Sequence, residues 1–148
     1  MSHFGGRLVV AQIGRGVWSL EQSLVYASDV YGAAIVVPRE FVTDFASVPR
    51  VPFAYLLTGG RAPGPATVHD WLYQHPDWED RELADRIFHE ALGVQQPLLG
   101  FEAESPAVAG AMWAGVRAGG WYAWAQHRQR QSDLNPEWTA RDTWPETT

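Results

Sequence analysis

The residues most able to do chemistry lie in two short runs, one around a His-Asp pair and one around a later aspartate. The first run is His69-Asp70-Trp71-Leu72-Tyr73, and the second holds Asp85 between Arg81 and Phe88. A histidine can act as a general base near neutral pH, a carboxylate can orient it, and another carboxylate can hold a cation. These residue types are therefore those of a metal-assisted hydrolytic site.

Two facing helices would be needed to bring these side chains together. Residues four apart share one helix face, so His69 and Tyr73 project in the same direction, while Asp70 is turned away by about 100°. In the second run the apolar residues recur at helical spacing, and Asp85 lies at the border of their stripe. A carboxylate there is well placed to accept a hydrogen bond from His69, which would fix the imidazole tautomer.

A structural interpretation of the same residues stays open. An aspartate at the border of an apolar stripe is often a salt-bridge partner, and Asp85 has Arg81 and Arg86 close by in sequence. Arg117, within a stretch rich in glycine and alanine, is interpreted as a structural ion-pair partner. The spacing alone does not decide between a catalytic and a structural aspartate.

Zinc and thiol chemistry are disfavoured. The chain has no cysteine, which excludes disulfides, thiolate metal sites and a cysteine nucleophile. His75 and His89 fall on other faces or helices than His69, so the sequence predicts solvent-exposed histidines at both positions rather than zinc ligands.

The order of patterns along the chain predicts an α+β fold, with a small N-terminal antiparallel β-sheet followed by a three-helix half that carries the His-Asp site. Short β-branched or aromatic segments separated by Gly and Asp occupy residues 7–38, and the prolines and glycines from Pro38 to Pro65 predict a long ordered loop or a set of short turns. Glycines in the third helix predict close packing against a neighbouring helix. The predicted helices span about 67–74, from a cap at Asp77 or Asp80 to Leu92, and from Ser105-Pro106 to about His127.

Size and charge restrict the class of protein. The chain has 148 residues, of which 46% are hydrophobic, so we expect a single α+β domain over 1–127 and a polar C-terminal tail over 128–148. A formal net charge of -6 argues against nucleic acid as a partner.

No stretch reaches the roughly 20 apolar residues of a transmembrane segment, and the N-terminus lacks the apolar core of a secretory signal.

Several separated blocks of the sequence resemble a small family found mostly in tailed bacteriophages and prophages. The resemblance implies a phage origin and leaves the activity open. It is carried by Val37-Pro38-Arg39-Glu40-Phe41-Val42-Thr43-Asp44-Phe45-Ala46-Ser47-Val48-Pro49-Arg50, Val68-His69-Asp70-Trp71-Leu72-Tyr73, Ala84-Asp85-Arg86-Ile87-Phe88 and Gly115-Val116-Arg117.

The stretch from Thr43 to Gly120 is also similar to secreted bacterial and fungal phospholipases A₂. The similarity implies that His69 activates a water, that Asp85 orients His69, and that Tyr73 belongs to the same site as a substrate-contacting or orienting residue. It also implies calcium as cofactor, with Asp70 and an upstream Asp44 as its ligands. The disulfides of those enzymes are absent, because this chain has no cysteine.

Two functional expectations follow. The first is a phage-encoded, calcium-dependent ester hydrolase acting on phospholipid. The alternative is a non-enzymatic virion or tail component in which the same residues form a buried polar network and other virion proteins are the partners. Without a secretory signal, the expected location is the phage particle or the host cytoplasm.

Overall fold

The computed structural model describes residues 1–43, 62–75, 78, 80–94 and 102–134. Within these ranges the chain forms an N-terminal antiparallel β region followed by three helices, which confirms the predicted α+β fold. No helix in these ranges is long and apolar enough to cross a membrane.

The β region consists of two three-stranded sheets rather than the one sheet that the sequence predicted. The sheets have the strand orders β1-β4-β5 and β2-β3-β6, and every pairing is antiparallel. They are separate because no pairing among the described strands joins β1, β4 or β5 to β2, β3 or β6. The strands are β1 (His3–Phe4), β2 (Val10–Gly14), β3 (Val17–Leu20), β4 (Leu24–Ser28), β5 (Ala33–Val37) and β6 (Val42–Thr43).

The β4-β5 hairpin presents one face to the core. Leu24, Tyr26 and Ser28 are buried and alternate with partly exposed residues, as expected when one side of a strand faces the interior. Tyr26 lies opposite Ile35, which is also fully buried. This hairpin therefore supplies the wall against which the helices pack.

The three helices are α1 (Pro63–Gln74), α2 (Arg81–Leu92) and α3 (Pro106–Leu134). Helix α1 begins earlier than predicted, because prolines fit the first turn, where a backbone N–H would have no partner within the helix. The Asp80 side chain caps α2 by accepting a hydrogen bond from the Leu83 N–H at 2.9 Å. Helix α3 continues beyond His127, where the sequence predicted its end, since the glutamines and arginines that follow are good helix formers.

Helix α1 lies at the centre of the helical half. Every residue from Gly64 to Gln74 is buried, and the helix packs against α2, α3 and β5. Polar side chains on such a helix have to find partners inside the protein, because an unpaired buried polar group is costly. His69 and Asp70 are in this position.

Candidate functional site

The predicted contact between the histidine and the later aspartate is present. The His69 Nε2 atom lies 2.8 Å from the Asp85 Oδ1 atom, and both side chains are 0% exposed. The contact links α1 to α2, as the positions of the two residues on their helix faces predicted.

The contact determines which ring nitrogen of His69 is available for chemistry. An ionised carboxylate only accepts hydrogen bonds, so Nε2 carries the proton and donates it to Asp85. In the neutral imidazole the lone pair is then on Nδ1, which is buried and makes no hydrogen bond within the described part of the chain. The ring is held between Tyr73 and Phe88, with centroid distances of 4.0 and 4.7 Å. His69 is therefore an oriented histidine with one unused nitrogen.

Asp85 has hydrogen-bond or ion-pair partners on all three helices. The Tyr73 hydroxyl of α1 donates to Oδ1 at 2.5 Å, and Arg117 Nη1 of α3 donates to Oδ2 at 2.8 Å. Arg81 Nη1, one turn before Asp85 on α2, lies 3.5 Å from Oδ2. Asp85 is therefore an ion-pair partner of Arg81 as well as a hydrogen-bond partner of His69, so the two interpretations of the sequence describe the same residue. Arg86, the other arginine considered, is exposed.

These contacts shift the ionisation of Asp85 and Tyr73. Burial alone would raise the pKa of the Asp85 carboxyl, but the hydrogen bond and charge of His69, with hydrogen bonds from Tyr73 and Arg117, outweigh it and hold the pKa below its usual range. Burial and the adjacent Asp85 charge raise the pKa of the Tyr73 hydroxyl well above its usual value. Asp85 is therefore the permanent anion of the cluster, and Tyr73 remains a proton donor.

Of the two predicted metal ligands, the structure describes only Asp70. Asp70 is 1% exposed, and its Oδ2 accepts a hydrogen bond from the Thr43 hydroxyl at 2.5 Å. Asp44 lies outside the described residues. Across the ranges that the structure describes, no group of three or more His, Cys, Asp or Glu side chains could hold a metal ion.

The two histidines that were weighed as zinc ligands, His75 and His89, differ from each other. His89 is exposed, as predicted, with its ring 5.7 Å from that of Trp113. His75 is only 1% exposed, so the prediction of a solvent-exposed side chain is wrong. It is buried because it follows directly on the buried helix α1 and packs edge-on against Trp71, at a centroid distance of 4.7 Å.

Gly120 is a site residue that sequence reasoning did not single out. A Cβ at this position would lie 2.7 Å from Tyr73 Oη and 2.7 Å from Arg81 Nη1. The glycine therefore allows α3 to approach the cluster around Asp85. The signal for it was the number of glycines in α3, which predicted a close helix contact without indicating which glycine makes it.

The chain belongs to the family described as "Protein of unknown function (DUF1353)", whose family model matches residues 18–116. The matched span includes His69, Tyr73 and Asp85 and ends just before Arg117. No curated protein and no solved structure matches the chain significantly.

Proposed function

We propose that this protein is an ester hydrolase of phospholipid in which His69 is the general base, Asp85 orients it, and Tyr73 and Arg117 hold Asp85 in place. The observation that carries the proposal is the asymmetry of the His69 ring. Its Nε2 is bound to Asp85 at 2.8 Å, whereas its Nδ1 has no hydrogen-bond partner among the described residues. A base requires this combination of an oriented ring and a free lone pair.

In the proposed reaction a water donates a proton to Nδ1 of His69 while its oxygen attacks the ester carbonyl. The resulting imidazolium is stabilised by the Asp85 carboxylate, whose low pKa keeps it ionised. When the tetrahedral intermediate collapses, the same proton passes from Nδ1 to the departing alkoxide. Tyr73 and Arg117 remain hydrogen-bonded to Asp85 throughout, so the ring keeps its orientation.

Calcium, with Asp44 and Asp70 as ligands, is part of the proposal through the phospholipase resemblance. It would polarise the ester carbonyl when bound. Calcium takes six to eight oxygen ligands, and the described residues contribute only the Asp70 carboxylate, one oxygen of which is engaged by Thr43. This set does not make a calcium site by itself, and the proton transfers described above use only His69 and Asp85.

A non-enzymatic role in a phage particle is a second candidate, and one observation favours it. His69 and Asp85 are both 0% exposed, and Asp85 has hydrogen-bond or ion-pair partners on all three helices. A buried polar cluster that links three helices in this way can rigidify a fold and specify one packing arrangement without any chemistry.

Replacement of His69 by glutamine distinguishes these functions. Glutamine is preferred to alanine because His69 is fully buried and a truncation would leave a cavity. The exposed His89 on α2 provides the matched control His89→Gln. Fatty-acid release from phosphatidylglycerol vesicles is measured with calcium and with a chelator, together with the thermal midpoint of each protein.

For the hydrolase, wild type and His89→Gln release fatty acid, and His69→Gln loses at least about a hundredfold in rate, the usual contribution of a general base. No release by the wild type at any calcium concentration, together with a destabilised His69→Gln protein, would overturn the hydrolase and support the structural role.

A further inference from the structure

The cluster around Asp85 holds more positive than negative charge. Arg81 and Arg117 approach the same oxygen, Oδ2 of Asp85, at 3.5 and 2.8 Å. Two guanidinium charges therefore face one carboxylate charge. In a chain with a formal net charge of -6, this is a local excess of positive charge beside the candidate base.

The two guanidinium groups also have unused donors. Each has five N–H groups, and Arg117 gives one hydrogen bond to Asp85. Arg81 Nη1 is buried and makes no hydrogen bond within the described part of the chain. An unsatisfied buried donor is unfavourable, so a ligand that accepts hydrogen bonds from it would recover free energy.

Both arginines remain partly accessible. Their side chains are 22% and 31% exposed for Arg81 and Arg117, whereas Asp85 behind them is 0% exposed. Helix α3 passes close to Arg81 at Gly120, where a Cβ would lie 2.7 Å from Nη1. Part of each arginine side chain can thus be reached from outside, whereas the Asp85 carboxylate cannot.

We propose that Arg81 and Arg117 form an oxyanion subsite that binds a phosphate group next to His69. Arginine forks match phosphate oxygens in geometry and form charge-assisted hydrogen bonds with them. Identification of this phosphate as that of a phospholipid rests on the proposed function, whereas binding of the phosphate group itself does not.

The surroundings of Arg117 bear on whether the phosphate comes from a lipid or from solution. Trp113 and Trp121 lie four residues before and after Arg117 on α3, so the three side chains share one helix face. Trp113 is 37% exposed and Trp121 is 65% exposed. Tryptophan is favoured where water meets lipid headgroups, so this face suits a phosphate presented at a bilayer surface.

The test compares Arg81→Gln with Arg86→Gln, which removes the same charge from an exposed position of the same helix. Inorganic phosphate is titrated calorimetrically into the full chain at constant ionic strength, and the thermal midpoint verifies folding. We expect Arg81→Gln to weaken phosphate binding at least about tenfold, as loss of a charge-assisted hydrogen bond implies, and Arg86→Gln to bind like the wild type. Arg81→Lys keeps the positive charge but lacks the paired N–H donors of a guanidinium group. We therefore expect its affinity for inorganic phosphate to lie between those of the wild type and Arg81→Gln.

Two further experiments are added. The first distinguishes a lipid phosphate from a phosphate in solution, and the second distinguishes failure of the phosphate subsite from failure of the proposed hydrolase. Sedimentation with phosphatidylglycerol vesicles in chelator is measured for the wild type, Arg81→Gln and Trp121→Ala. Weaker vesicle binding by both variants, with unchanged affinity of Trp121→Ala for inorganic phosphate, supports a lipid phosphate. Weaker phosphate binding by Arg81→Gln with unchanged vesicle binding supports a phosphate from solution.

His69→Gln serves as a background in which hydrolysis is absent, and it should bind phosphate like the wild type. Phosphate binding by this variant supports the subsite even if no hydrolysis is ever detected. Absence of phosphate binding by folded wild type, or equal affinities of the Arg81→Gln and Arg86→Gln variants, would overturn the subsite regardless of activity.

Discussion

The backbone of Gly120 borders the hydroxyl of Tyr73 so closely that a Cβ at position 120 would lie 2.7 Å from Tyr73 Oη. The same hydroxyl donates to Asp85 at 2.5 Å. The spacing between α3 and α1 therefore determines whether the Tyr73 hydroxyl can donate to Asp85, which in turn orients His69.

Gly120→Ala should destabilise the protein by about 1 to 3 kcal/mol, the usual effect of overpacking, because Tyr73 or Arg81 has to move. Gly110→Ala is the control on the same helix, since a Cβ there meets nothing within 4 Å. It should stabilise by roughly 0.5 to 1 kcal/mol through helix propensity. Urea unfolding measures both, and changes of the same sign in the two variants would contradict the close contact at Gly120.

Asp85→Asn should lower the free energy of unfolding at neutral pH by about 3 kcal/mol. That value is the low end for a broken buried pair, because Arg81 and Arg117 are partly exposed and can turn toward water. Asp29→Asn, whose side chain is 65% exposed, is the surface control and should change stability by no more than about 0.5 kcal/mol.

The stability difference between the wild type and Asp85→Asn should depend on pH in a definite direction. Because the folded-state pKa of Asp85 is lowered, its contribution is fully present above the unfolded pKa of about 3.9 and is lost as the pH falls through the folded value. Urea unfolding of both proteins at several pH values should give a constant difference from about pH 7 to 5 that shrinks below about 4. A difference that grows on acidification would show that the carboxylate is not the stabilised form.

Glu90→Gln should loosen the attachment of α2 to the β4-β5 hairpin. The Glu90 carboxylate accepts hydrogen bonds from the Tyr26 hydroxyl, the Ser28 hydroxyl and the Val30 N–H, at 2.9, 2.7 and 2.9 Å. Loss of the charge should cost about 2 kcal/mol, whereas Glu82→Gln, at an exposed position of the same helix, should stay within about 0.5 kcal/mol. Thermal denaturation compares the two, and equal midpoints would argue against Glu90 as a stabilising link.

Calcium binding, if it accompanies the proposed function, should depend on Asp70. Calorimetric titration of calcium should give binding heat with the wild type and with Asp29→Asn, and much less with Asp70→Asn, because a neutral amide is a weaker calcium ligand than a carboxylate. Negligible heats for both the wild type and Asp70→Asn would remove calcium from the proposed function. The proposal would then rest on the comparison of fatty-acid release by the wild type and His69→Gln.

Local patterns in the sequence determined much of the helical half. The apolar spacing around Asp85 and the positions of His69 and Tyr73 one turn apart were sufficient to predict which faces meet, because helix geometry sets the direction of each side chain within a few residues. The end of α2 at Leu92 and the cap at Asp80 are local in the same way. The start of α1 and the end of α3 were less accurate, since several residues near each end fit a helix equally well.

The tertiary structure alone decided which distant groups share Asp85 and Asp70. Arg117 and Gly120 reach Asp85 from α3, and Thr43 reaches Asp70 from the end of β6. It also divided the β region into two sheets, since no pairing among the described strands joins β1, β4 or β5 to β2, β3 or β6. These contacts depend on how whole elements pack, and periodicity carries no information about them because it describes one element at a time. The sequence therefore determined which side chains could form the site, and long-range packing decided which of them do.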